Sequence, residues 1–148
     1  MNGEFDINGE KIHLTFRPSD ILLDILRNKV GLTGAKPGCL NGDCGACTIE
    51  ADGIPLKSCL ILAIEAINKK IITIEGLGGT PIQHAFVEKF AFQCGYCTPG
   101  FIVNCQTLIQ NHPNASDEMI KEWLESNICR CTSYQEIEEA VKSVLKKK

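Results

Sequence analysis

The residues best suited to chemistry in this 148-residue chain are its nine cysteines. Cys39, Cys44 and Cys47 lie in "CLNGDCGAC", a C-x4-C-x2-C run, and Cys59 follows twelve positions after the third. That is the spacing with which plant-type [2Fe–2S] sites present four thiolates. Gly38, Gly42 and Gly45 interrupt the loop. Glycines there let the backbone wrap closely and aim N–H groups at sulfur. A second set combines Cys94-Gly-Tyr-Cys97 with Cys129-Arg-Cys131. In extended backbone residues i and i+2 point to one side, so Cys129 and Cys131 face one object. Four thiolates hold either an iron–sulfur cluster or a structural zinc ion. Zinc ligands usually come as two short knuckles, which suits the second set better than the first. The iron–sulfur loop alongside favours iron in both.

The ninth cysteine, Cys105, falls on the apolar stripe Phe101, Ile102, Cys105, Leu108, Ile109 and reads as core. Trp123 reads as core, and His84 and His112 as surface residues. Paired carboxylates, a Ser/His/Asp set and a phosphate loop are not apparent, so the chain reads as a carrier of redox centres without its own substrate-converting site.

Cysteines in this number, odd and unevenly spaced, speak for metal or redox chemistry in a reducing compartment and against a disulfide framework. The sequence "MNGEFDINGEK" lacks the basic and apolar regions of a secretion signal. The apolar run "CLILAIEAI" is broken by Glu65 and is too short to cross a membrane. The expectation is a cytoplasmic protein without a membrane partner. A net charge of −3 gives no sign of a nucleic-acid partner. Lys146, Lys147 and Lys148 read as a solvated helix end.

The elements that must position the cysteines follow from periodicity and turn residues. "EFDI" and "KIHLTF" alternate around Asn8-Gly9, a hairpin signal. "PSDILLDILRN" has helical spacing with Ser19 as N-cap. "CTIEA" and "IPLKSC" flank Asp52-Gly53. If that turn has two residues, facing positions sum to 105, and Cys47 lies across from Ser58, with Cys59 returned to the mouth of the loop. Pro55 could disturb this register. "IITIE" reads as a further strand.

The second half reads as four helices. Starts fall at Thr80-Pro81, at Thr98-Pro99, at Ser116 and at the capping box Ser133–Glu136. Each half of the second cysteine set precedes a helix start, where the macrodipole favours negative charge. The Gly-rich "EGLGGTP" divides residues 1–76 from residues 77–148.

"GCLNGDCGACTIEADGIPLKSCL", "TIEGL", "FQCGYCTPGF" and "NICRCTSY" together resemble the small iron–sulfur subunit of molybdenum hydroxylases, over nearly the whole chain and in order. The resemblance implies an α+β chain: a β-grasp ferredoxin-like domain (1–76) followed by an all-α four-helix-bundle domain (77–148), each with one [2Fe–2S] cluster. It implies Cys39, Cys44, Cys47 and Cys59 as ligands of one cluster and Cys94, Cys97, Cys129 and Cys131 as ligands of the other. The partners implied are a large molybdopterin-binding subunit and a medium FAD-binding subunit. Electrons from molybdenum enter the second cluster, pass to the first, and leave to FAD. Gln93 and Cys131 are the residues implied to approach the pterin, although Gln93 could serve only to fix its loop. Ser133 stands where the family commonly has glycine, and Asn41 where an acidic residue is common. A free-standing ferredoxin-like carrier is the alternative reading, and it leaves the helical half without a purpose.

Overall fold

The computed structural model describes residues 1–146. Lys147 and Lys148, two residues of the basic tail, lie outside the described residues. The first half forms a five-stranded mixed sheet. Its strands are β1 (Asn2–Ile7), β2 (Glu10–Thr15), β3 (Thr48–Ala51), β4 (Ile54–Lys57) and β5 (Lys70–Ile72), in the order β2-β1-β5-β3-β4. β1 and β5 run parallel, and the other pairs are antiparallel. Both two-residue turns form as the sequence predicts. Asn8 and Gly9 have φ of 55° and 83°, and Asp52 and Gly53 have 52° and 81°, which Asn, Asp and Gly tolerate. The register Thr48↔Lys57 and Glu50↔Pro55 keeps the sum of 105, and Pro55 does not shift it.

α1 (Leu22–Asp24) runs directly into a π-helical segment, Ile25–Val30, that ends at Gly31 with φ 88°. Leu22, Leu23, Ile25 and Leu26 pack onto Phe5, Ile7, Ile49 and Ile71 of the sheet. Ser19 does not cap this helix: the N-cap is Ile21 and has no side-chain hydrogen bond. Asp20 holds the entry instead, accepting from the Arg17 N–H at 3.0 Å and the Arg17 Nε at 2.8 Å.

The second half contains α2 (Pro81–Glu88), α3 (Thr98–Asn111), α4 (Asp117–Leu124) and α5 (Gln135–Leu145). Their inward residues, among them Phe86, Phe101, Leu108, Ile120, Leu124, Ile137 and Val141, form a second core. Thr80 and Ser116 cap as their sequence patterns require. Two other starts move by one residue. The N-cap of α3 is Cys97, with Thr98 already helical. The N-cap of α5 is Tyr134, in the left-handed conformation at φ 71°. Ser133 donates its hydroxyl to the Glu136 carboxylate at 3.1 Å, a side-chain pair that stands in place of the capping box. The architecture is α+β, and no described helix is long and apolar enough to cross a membrane.

Candidate metal centres

The structure draws each cysteine set together. In the first, a turn of positive φ at Leu40 (59°), Gly42 (91°) and Gly45 (69°) curls the chain around its sulfurs. The Cys44 N–H donates to Cys39 Sγ at 3.2 Å, and the Cys39 N–H donates to Cys44 Sγ at 3.3 Å. A β-carbon on Gly38 would occupy the space of Cys44 Sγ. Cys59 arrives through the hairpin as the arithmetic predicts. Ser58 donates to the Cys47 carbonyl from its N–H (3.3 Å) and its hydroxyl (2.8 Å), which sets the Cys59 thiol against that of Cys47. The set thus consists of an outer pair, Cys39 and Cys44, and a buried pair, Cys47 and Cys59.

The second set is also paired. Cys131 and Cys94 hold their sulfurs 3.6 Å apart at the surface, and Cys97 meets the buried Cys129. The Cys129 N–H donates to the Tyr134 hydroxyl at 2.9 Å, which closes the loop between the C-x-C pair and α5. Gln93 lies at the surface and donates from Nε2 to the Cys131 carbonyl at 2.9 Å. The two residues implied to approach a pterin are therefore in contact with each other. Asn41 turns its amide to Asp43 at 2.8 Å, and the exposed Ser133 reaches no cysteine. Neither departure from the family pattern disturbs a sulfur.

The thiols differ sharply in acidity. Backbone N–H groups of Cys44, Asn41 and Asp43 bring Cys39 down to about 6. Burial, joined by the neighbouring thiol, pushes Cys59 up to about 11 and Cys97 up to about 12. At Cys129 burial works upward, but the hydroxyl and N–H of Thr132 outweigh it and the thiol ends below its ordinary value. Ligation of Cys59 and Cys97 therefore releases protons.

Among the described residues no three His, Cys, Asp or Glu side chains converge as ligands of one metal ion. The sulfurs come in twos, and two pairs suit a two-iron core with two thiolates at each iron. The donor set, the tight glycine turns and the inward N–H groups all fit [2Fe–2S] clusters.

Sequence patterns alone missed the contacts between the two sets. Six cysteines, Cys39, Cys44, Cys94, Cys97, Cys129 and Cys131, line one cavity of about 220 Å³ together with Tyr96 and Arg130. Tyr96 donates from its hydroxyl to the Pro37 carbonyl at 2.9 Å, and the Ile128 N–H donates to the Cys44 carbonyl at 2.9 Å. Cys105 takes no part: it is fully buried among apolar side chains. His84 is exposed, whereas His112 is half-buried with its ring edge-on to Trp123 at 5.4 Å.

A family model described as a 2Fe-2S iron-sulfur cluster binding domain matches residues 5–66, and one described as a [2Fe-2S] binding domain matches residues 73–142. The nicotinate dehydrogenase small FeS subunit of Eubacterium barkeri is 43% identical over 141 residues, covering 93% of this chain and 90% of that one. The nicotine 6-hydroxylase small subunit of Paenarthrobacter nicotinovorans is 42% identical over 141 residues, covering 93% and 86%. The crystal structure of quinoline 2-oxidoreductase from Pseudomonas putida 86 includes a chain that superposes with a TM-score of 0.93 at 38% identity, covering 98% of this chain and 92% of that chain. With two [2Fe–2S]-binding models in series and relatives of this likeness along nearly all of its length, the chain belongs to the family of small [2Fe–2S] subunits of molybdenum hydroxylases, the electron-transfer part of an oxidoreductase.

Proposed function

We propose that the chain carries electrons from a molybdopterin centre on a large partner subunit to FAD on a medium partner subunit. Cys94, Cys97, Cys129 and Cys131 hold the entry cluster, and Cys39, Cys44, Cys47 and Cys59 hold the exit cluster. The observation that carries this reading is the shared cavity, which brings both cysteine sets within one short span. Each cluster supplies one-electron storage and release. The chain's own residues mark the entry end of the route. Cys94 and Cys131 are exposed there, and Gln93 fixes the Cys131 carbonyl and faces the pterin. Cys39, exposed as well, lines the cavity that the two sets share.

The same reading divides the chain at residue 76 into a β-grasp ferredoxin-like domain and a four-helix bundle. Two separate apolar cores support that division. Cysteine used as thiolate ligand supports a cytoplasmic setting. Isolation of the complex at native expression level tests the assignment. Partners that contain molybdenum and flavin are expected to co-purify. A lone chain would favour the free-standing carrier.

A further inference from the structure

Between the two cysteine sets lies a polar chain, buried at Asn104 and Asn127, whose members come mostly from the helical half. Asn127, 2% exposed, donates from Nδ2 to the Gly45 carbonyl at 2.9 Å and to Thr48 Oγ1 at 3.3 Å. Its Oδ1 accepts from the Ser126 hydroxyl at 2.7 Å. Ser126 Oγ in turn accepts from Asn104 Nδ2 at 3.0 Å. Asn104 is fixed by Trp123, which donates from Nε1 to the Asn104 carbonyl at 3.0 Å. The orientation of the Asn127 amide is thereby settled, because a carbonyl accepts only from the NH₂ side.

The target of this chain is the turn Cys44-Gly45-Ala46-Cys47. Cys44 belongs to the outer sulfur pair and Cys47 to the buried pair, so this turn sets the separation of the two pairs. Gly45 sits at φ 69°, and a β-carbon there would collide with the Asn127 amide. The neighbouring Cys44 carbonyl receives the Ile128 N–H at 2.9 Å. Two successive carbonyls of the first cysteine loop are therefore held by residues 127 and 128, which directly precede Cys129 of the second set.

We propose that Asn127 is a positioning residue for the first centre: through its amide the helical half holds the Cys44–Cys47 turn in ligating shape. This rests on the reading that Cys39, Cys44, Cys47 and Cys59 hold a [2Fe–2S] cluster. Its consequence runs against sequence proximity. Asn127 is two residues from a ligand of the second centre, yet its loss weakens the first.

The test uses the iron-loaded full chain, purified anaerobically, with each centre followed by its own EPR signal during exposure to an iron chelator. A Cys59→Ser variant assigns the first centre's signal. Wild-type protein without two signals would sink the proposed function itself and leave this inference without its object. Given two signals, Asn127→Ala and Asn127→Asp are expected to speed loss of the first by about tenfold, the effect of one buried hydrogen bond, and to alter its line shape. The second signal is expected to persist at the wild-type rate. Asn127→Asp keeps the size of the side chain and removes the donor, so wild-type behaviour in it overturns the proposal. Faster loss confined to the second centre, or equal loss of both, also overturns it. If the Asn127 variants do not fold, the milder Ser126→Ala decides by the same comparison. This variant lies at an exposed position and frees the amide that Ser126 orients.

Discussion

The backbone of Gly100, in the first turn of α3, lies against the carbonyl of Gly45 with no room for a β-carbon between them. A helix whose N-cap is Cys97 of one cysteine set thus rests directly on the loop that carries the other. Asn127, Ile128 and Tyr96 add hydrogen bonds around the same contact.

Gly100→Ala tests that contact. Alanine ordinarily favours a helix over glycine by about 1 kcal/mol. Here its methyl group meets backbone, and overpacking of this kind costs about 1–3 kcal/mol. The variant is expected to be less stable than wild type in denaturant unfolding of the iron-loaded chain. A more stable variant would mean that the loop yields without cost.

Cys47→Ser and Cys97→Ser separate the centres. Cys47→Ser removes a buried sulfur from the first set, and Cys97→Ser a half-buried one from the second. Cys47→Ser is expected to abolish the EPR signal of the first centre and to leave the second largely intact. Loss of both signals in a folded variant would contradict the division at residue 76.

Gln93→Ala removes an exposed hydrogen bond to the Cys131 carbonyl. The expected cost in stability is small, about 0.5–1.5 kcal/mol, and both clusters should remain. Electron transfer from the molybdopterin partner into the chain should slow. An unchanged single-turnover rate would reduce Gln93 to a fixer of its loop.

Cys105→Ser probes the ninth cysteine. Burial holds this thiol well above its ordinary range, so it should resist alkylation at pH 8 in the folded protein. Serine at that position buries a hydroxyl among apolar side chains and is expected to cost about 1–3 kcal/mol, with both EPR signals retained. A lost cluster would make Cys105 a ligand.

The contacts of Asp20 give a pH prediction. The Arg17 N–H and guanidinium hold its carboxyl at about 2, below the ordinary aspartate value. A depressed carboxyl stabilises the fold fully above the unfolded-state value near 4 and loses that effect as pH falls through about 2. Asp20→Asn should therefore lower Tm by an amount that is the same at pH 8 and pH 5. A difference that has already shrunk by pH 5 would contradict the geometry.

Local rules carried much of this fold. Asn8-Gly9 and Asp52-Gly53 predicted both hairpins, and the sum of 105 set Cys47 across from Ser58 and returned Cys59 to the mouth of the loop. Caps next to the cysteines were less legible. Cys97 takes the capping place predicted for Thr98, and Tyr134 adopts a left-handed conformation that lets its hydroxyl reach the Cys129 N–H. Loop closure around the sulfurs overrides capping preference there. Asn127, Tyr96 and Gly100 were not legible at all. Their partners lie in the first cysteine loop, and no periodicity records a contact at such separation.

The central claim is that eight of the nine cysteines hold two [2Fe–2S] clusters. Iron and acid-labile sulfide analysis of the anaerobically purified chain, with EPR after reduction, tests it most directly. About four irons, about four sulfides and two distinct signals per chain are expected. A colourless protein that holds zinc in place of iron would contradict it.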